Sequence, residues 1–345
     1  MEQAIVESRK KLTKRDTPET KYAFCGAIAI HQELDMLGYK EKPSLSTINR
    51  VLKRNELIDK KAGDRKKSES GRYYPEIIAR YPGHAHQLDL VAPLYIKGYG
   101  AVVSVNRVDV YSSQANLDQY RSKEADNIIS FHIDDWKVFG IPFYLQVDNE
   151  AAFRGSLYHE RTFGKLSRFC LNFGVELVFI PFKEPWRNGH IESFNGRFKE
   201  KLWEYMFFKD LDHIRAESKA FRAKNNNYQQ YKKEKFSKQL FVSYKTRYLP
   251  ENFTFDVSEN LPITKGKLHF VRLVKESGKI NILNEDFYVD KNLCFEYVWA
   301  TINTEESSIS FWYQATKKAP RELVKTQPYK LREPVKDRIP AGKFC

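Results

Sequence analysis

Apolar positions early in the chain fall at helical spacing. Ile28, Ile30, Leu34 and Leu37 lie close to a 3.6-residue period and predict a helix over Ala23–Leu37. A turn runs from Gly38 to Pro43. A second helix follows over Thr47–Arg54, with Ser44 or Ser46 as its cap. In that helix Ile48, Val51 and Leu52 turn inward and leave Thr47, Asn49, Arg50, Lys53 and Arg54 outside. Two helices across a short turn, the second basic on its outer face, predict a helix-turn-helix unit. A solvated basic face is the plainer alternative. The polar stretch Asp59–Ser70 reads as a linker.

Beyond the linker the pattern alternates. His86–Ile96 and Gly100–Tyr111 read as strands, Glu124–Phe139 as a helix and Phe143–Val147 as a strand. Leu166–Phe173 reads as a helix ended by Gly174, Glu176–Ile180 as a strand and Asn188–Phe208 as a long helix. This order predicts an α/β domain. Asp212–Gln239 predicts a polar, basic helix. From Gly266 onward, short strands between turn residues predict a small antiparallel β-barrel. The expected division is 1–70 for the helix-turn-helix region and linker, 76–210 for the α/β core, 211–260 for a helical basic spacer, and 261–345 for the barrel and a basic tail.

Hydrophobic residues make up 41% and aromatics 14% of the 345 positions, ample for packed cores. No apolar run approaches membrane-spanning length. Cys25, Cys170, Cys294 and Cys345 are too scattered for a disulfide framework or a zinc site and fit reduced thiols in a cytosolic protein. Charge changes the picture more. The net charge of +14 divides into +6 over residues 1–75, −1 over 76–200 and +9 over 201–345. Basic flanks around a near-neutral middle suit a polyanion such as DNA, and equally a generally basic surface.

Three carboxylates sit where an α/β fold gathers functional groups. Asp89 lies within a strand, opposite in facing to Leu88 and Leu90. Asp148 ends an apolar strand, and strand ends are where α/β sites collect. Glu192 lies near the start of the long helix, whose buried stripe is Ile191, Phe194, Phe198 and Leu202. Asn195 and Lys199 follow Glu192 at i+3 and i+7 and share a neighbouring stripe. Crowded carboxylates repel and partly protonate, a penalty that a divalent cation removes. Hard oxygen ligands select Mg²⁺ or Mn²⁺. Taken singly, each acid reads first as a cap or a surface residue.

The stretches Gln-Leu-Asp89-Leu, Val-Asp148-Asn-Glu, Phe-Ile-Pro181 and Asn188-Gly-His-Ile-Glu192-Ser-Phe-Asn195 together resemble the catalytic core of the retroviral-integrase superfamily, in particular insertion-sequence transposases. Residues 22–57 resemble the helix-turn-helix before such cores, and 267–314 the small β domain after them. The resemblance implies a ribonuclease-H-like fold with Asp89, Asp148 and Glu192 as catalytic metal ligands. It also implies two Mg²⁺ or Mn²⁺ ions. The 43 residues between Asp148 and Glu192 exceed the family's usual spacing, with Arg154–Gly164 as the expected surface insertion. Many relatives carry a further N-terminal helix-turn-helix, for which this chain starts too late, so a short or truncated form is expected. The zinc module of retroviral integrases is absent.

The function expected is DNA strand cleavage and strand transfer at the ends of a mobile element. The expected setting is a prokaryotic cytoplasm, nucleoid-associated, in a dimer or larger assembly. The alternative is a catalytically silent DNA-binding remnant. A nuclease that only hydrolyses would not need both basic flanks. Candidate DNA contacts are Asn49, Arg50, Lys53 and Arg54 in the second helix. Trp186, Arg187, Asn188, His190, Asn195 and Lys199 are candidates around the acid-bearing helix. Trp186 equally fits a core anchor. Asp109 and Glu150 are secondary candidates as ligands, and His84 and His86 read as loop residues before a strand.

Overall fold

The computed structural model describes residues 1–58, 72–156, 158–237, 244–257 and 260–338, so the expected linker Asp59–Ser70 and the residue Cys345 lie outside the described residues. Its first helices are α1 (Glu2–Lys14), α2 (Ala27–Met36) and α3 (Leu45–Arg54). α3 is capped by Ser44, whose hydroxyl accepts the Thr47 N–H at 3.2 Å. α2 starts later than expected, with Gly26 extended at its N-cap, and Leu37 is exposed past its end. α1 escapes the periodicity because its fully apolar contacts are few. Its Ile5 and Leu12 nonetheless close one core with Ile30, Leu34, Ile48 and Leu52.

The middle of the chain supplies β1 (Ala85–Ile96), β2 (Gly100–Asp109), β3 (Ala115–Tyr120), α4 (Ala125–Val138) and β4 (Tyr144–Val147). The single turn α5 (Ala151–Arg154), then α6 (Lys165–Phe173), β5 (Glu176–Phe179) and α7 (Gly189–Phe198) follow. β1, β2 and β3 are antiparallel neighbours, whereas β4 runs parallel to β1 and β5 parallel to β4. β3 is not legible in the pattern because it buries Asn116 and Gln119, which masks its alternation. α7 is shorter than the helix expected over Asn188–Phe208. It gives way to a π turn at Lys199–Trp203, which keeps Leu202 in one apolar cluster with Ile191, Phe194 and Phe198.

α8 (Leu211–Phe236) comes next, its Asp210 cap accepting the His213 N–H at 2.8 Å. The last strands are β6 (Lys267–Leu273), β7 (Lys279–Ile282), β8 (Glu285–Tyr288), β9 (Tyr297–Asn303), β10 (Ser308–Tyr313) and β11 (Glu322–Pro328). Here the structure corrects the expected separate barrel. β6 pairs in parallel with β5, so the sheet runs β11-β10-β9-β6-β5-β4-β1-β2-β3, and β7 and β8 stand apart as a hairpin. The physical reason is a shared core. Leu177 and Phe179 of β5 belong to one apolar cluster with Phe270, Ile280, Phe287 and Phe311, and the Phe179 and Phe270 rings stack at 4.9 Å. β6 also satisfies backbone groups that β5 would otherwise expose as an edge. The result is a mixed α/β fold around a central mixed sheet.

The stretch expected as a surface insertion is a loop, exposed at Tyr158, His159 and Glu160 and anchored at its base. A Cβ on Gly155 would meet Gly164 Cα at 2.5 Å, so the loop between them closes on itself. Its Arg161 then pairs with Glu285 through Nε at 2.6 Å and Nη2 at 2.5 Å. The loop is a strut to the C-terminal strands. No helix among the described residues is long and apolar enough to cross a membrane.

Candidate active site

Strand register brings the two aspartates together. β1 and β4 pair as Ala85 with Tyr144, His86 with Leu145 and Gln87 with Gln146. Continued by two residues, the same register brings Asp89, within β1, near Asp148, the residue that follows β4. Side chains alternate, so Gln87 and Asp89 share one face, as do Gln146 and Asp148. α7 lies on that face and is fastened to it three times. Gln87 Oε1 accepts the N–H groups of His190 at 3.0 Å and Ile191 at 3.1 Å, which otherwise lack partners at a helix start. Gln146 Nε2 donates to Asn188 Oδ1 at 2.7 Å and to the Arg187 carbonyl at 3.1 Å. Asn195 Nδ2 donates to Asp89 Oδ2 at 2.7 Å. The apolar stripe Ile191, Phe194, Phe198 and Leu202 seals the other side of the helix. These bonds seat Glu192 on the face that carries the aspartates.

The acids sense each other. Burial, then the neighbouring Asp148, Glu150 and Glu192 carboxylates, push the Asp89 carboxyl up to about 7. Burial, with Glu150 beside it, raises Asp148, and burial raises Glu192. Among the described residues no Lys or Arg forms an ion pair with any of the three. Their chemistry, hard oxygens with unbalanced negative charge, fits a divalent cation. They are not a closed ligand set. Among the described residues no three His, Cys, Asp or Glu side chains stand close enough to hold an ion.

The rival residues are accounted for elsewhere. Asp109 accepts the backbone N–H groups of Gly83, Tyr111 and Ser112 and so shapes a turn. Glu150 pairs with Lys123. His86 is not a loop residue but a fully buried strand residue on the opposite face.

The candidate DNA contacts separate into groups. Asn195 meets Asp89, and Lys199 is exposed one turn beyond it. Asn188 is buried and its amide oxygen is engaged by Gln146. Arg187 pairs with Glu184 at 2.9 Å and lies over the Tyr74 ring at 4.2 Å. Trp186, Arg187 and His190 line a cavity of about 490 Å³ whose walls include none of the three acids. In α3, Asn49, Arg50 and Lys53 are exposed, whereas Arg54 is paired with Glu2 of α1.

Sequence reasoning missed Gln87, Gln146 and Asn106. The signal was available. A glutamine stands two residues before each aspartate, which on a strand means the same face.

Comparison with known proteins gives matches over part of the chain. Residues 173–229, which run from the end of α6 through β5 and α7 into α8, match the integrase core domain. Over 112 residues the chain is 31% identical to the insertion element IS407 uncharacterized 31.7 kDa protein of Burkholderia multivorans, covering 30% of this chain. The chain spans about two fifths (39%) of the length of that curated relative. Among solved structures, the HTLV-2 integrase catalytic core domain in complex with magnesium (dimeric form) is 21% identical, with a TM-score of 0.31. It covers 48% of this chain and 94% of that one. A simian T-cell lymphotropic virus intasome in complex with PP2A regulatory subunit B56 gamma is 13% identical, with a TM-score of 0.35, covering 89% and 94%. The family match and the insertion-element relative make this chain similar, over part of its length, to integrase cores and to an insertion-element protein.

Proposed function

We propose that this protein is a DNA transposase that cleaves and joins DNA strands at the ends of a mobile element in a metal-dependent reaction. One observation carries the reading: around β1, β4 and α7, Asp89 lies within electrostatic reach of Asp148 and Glu192, and among the described residues Lys123 is the one cation that acts on Asp148, without an ion pair to any of the three acids. In this reading Asp89, Asp148 and Glu192 hold one or two Mg²⁺ or Mn²⁺ ions. Divalent ions there supply a more acidic water and charge stabilisation for an in-line displacement at phosphorus. Asn195 keeps the Asp89 carboxylate turned into the site by donating to Oδ2. Lys199, exposed on the same helical flank, pairs with a DNA phosphate. Water hydrolyses the phosphodiester at the element end and releases a 3′-hydroxyl; that hydroxyl attacks a target phosphodiester and displaces the target strand's own 3′-oxygen, so no covalent protein–DNA bond is needed. The α1–α3 unit presents Asn49, Arg50 and Lys53 to the element ends, and the basic C-terminal region adds phosphate contacts. Trp186 and His190, on the far flank of α7, serve a second DNA segment. Two element ends have to be held together, so the working form is a dimer or larger.

A second reading, the silent DNA-binding remnant, is favoured by the open arrangement of the acids. One experiment separates the two. The protein is incubated with Mg²⁺ and a duplex carrying the inverted repeat that flanks its own gene, beside an Asp148→Asn control. Nicking at the repeat end that vanishes in the control supports the transposase. Salt-sensitive binding without cleavage in Mg²⁺ or Mn²⁺ leaves the remnant.

A further inference from the structure

We infer that a one-way chain of buried hydrogen bonds, beginning on α8, positions the Asp89 carboxylate from behind, and that Asn106, Ser104 and Gln119 are positioning residues of the site. The inference rests on the reading of Asp89 as a metal-holding acid.

The chain has five links. Ser218 Oγ of α8 donates to Gln119 Oε1 of β3 at 3.1 Å. Gln119 Nε2 donates to Ser104 Oγ of β2 at 3.0 Å. Ser104 Oγ donates to Asn106 Oδ1 at 2.7 Å. Asn106 Nδ2 donates to Asn195 Oδ1 of α7 at 2.8 Å. Asn195 Nδ2 ends the series on Asp89 Oδ2 at 2.7 Å. Every member before Asp89 is buried, three of them completely.

The direction follows from donor and acceptor chemistry. An asparagine amide has nearly the same shape turned either way, so its neighbours decide which end faces the carboxylate. If Asn195 turned over, its oxygen would meet a carboxylate oxygen. The Asn106 amide group prevents this by requiring an acceptor from Asn195. Asn106 is oriented by the Ser104 proton, and that proton points to Asn106 because Gln119 occupies Ser104 as a donor. Ser218 fixes Gln119 in turn. With all donors pointing the same way in a low-dielectric interior, the bonds polarise one another toward Asp89. The register supports the placement: Asp89 pairs with Asn106 and Ser104 with Gln119, so these side chains share the α7 face of the sheet. β3 and α8, which carry none of the three acids, thereby act on the site.

The test uses the full chain, Mn²⁺ binding by calorimetry, and Mn²⁺-dependent nicking of supercoiled plasmid DNA. Asn106→Leu keeps the size and deletes the donor. Expected are losses of about tenfold in Mn²⁺ affinity and in nicking kcat, with plasmid affinity unchanged. In an Asn195→Ala background the same change should cost under about twofold, because its effect passes through Asn195. Gln119→Met, farther along the chain, should act in the same direction with about a threefold loss, and it carries the test if Asn106→Leu does not fold. Unchanged Mn²⁺ affinity in a folded variant, or equal losses with and without Asn195, overturns the relay. Asp148→Asn separates this from failure of the underlying reading. If it abolishes Mn²⁺ binding while Asn106→Leu leaves the Mn²⁺ affinity unchanged, the relay is wrong and the metal site stands. If it retains both binding and nicking, the metal site and the relay fall together.

Discussion

The two faces of the central sheet bury charge in opposite ways. On the α4 face, Arg107 of β2 is fully buried and grips Asp135 with Nε at 3.0 Å and with Nη2. Asn116 donates to the same carboxylate at 2.9 Å, and the Gln114 carbonyl accepts from Arg107 at 3.1 Å. On the α7 face, one residue along the same strand, Asn106 leads through Asn195 to an aspartate with no cation paired to it. The first cluster is electrically complete, and any change to it leaves a bare charge in the interior. The second is incomplete and is held in shape by neutral amides. An incomplete charge set has room for a ligand, whereas a complete one has only a structural part to play.

The sharpest break of this comparison is Asp135→Ala. It strands the Arg107 guanidinium in the core and should lower unfolding free energy by about 3–5 kcal/mol, read from denaturant titration. Asp89→Asn should do the reverse. It relieves repulsion, so the melting temperature holds or rises, while metal-dependent nicking of plasmid DNA falls by about a hundredfold or more. A stable but inactive Asp135→Ala, or an unfolded Asp89→Asn, would erase the distinction between the faces.

Gln87→Met probes how α7 is seated. Two helix-start N–H groups lose their acceptor, which should reduce stability by about 1–3 kcal/mol and lower nicking through Glu192, measured on the same preparation. The smallest effect expected is from pH. His132 on the α4 face is fully buried, and burial holds its pKa down to about 4; burial also holds His86 well below 6.5. Each is therefore neutral when folded and takes up a proton more readily when unfolded. Stability from this source is complete above about pH 6.5 and declines as pH falls toward 4, by roughly 1 kcal/mol per histidine between pH 6.5 and 5.5. His132→Phe should flatten that slope in urea melts, and an unchanged slope would mean that the α4-face histidines do not govern acid sensitivity.

Much of the site is legible in the residue pattern alone. The apolar stripe of α7 puts Glu192 and Asn195 on an adjoining flank, and the strand end at Val147 places Asp148. β3 stays hidden, because Asn116 and Gln119 are buried polar residues and break the apolar alternation that marks a strand. α1 is hidden for a related reason: only Ile5 and Leu12 among its apolar residues are buried, too few to mark a helical stripe. Short strands are anticipated from Gly266 onward, yet their destination is not. Short alternating strands look the same whether they close on themselves or extend a neighbour's edge.

By itself, then, the sequence determined most of the helices and strands, though not α1, β3 or β11, as well as which three acids are candidates and that the flanks are basic. Those properties are local, set by side-chain periodicity, caps and turn residues over a few positions. The tertiary structure alone decided that β6 would join β5, that Gln87 and Gln146 would fasten α7, and that Asp89 would be reached by hydrogen bonds from α8. Each of these depends on donors and acceptors brought together from segments up to about 130 residues apart, such as Asp89 and Ser218. In a buried interior every polar group has to find a partner, and which partner it finds is a property of the packed sheet rather than of any local stretch.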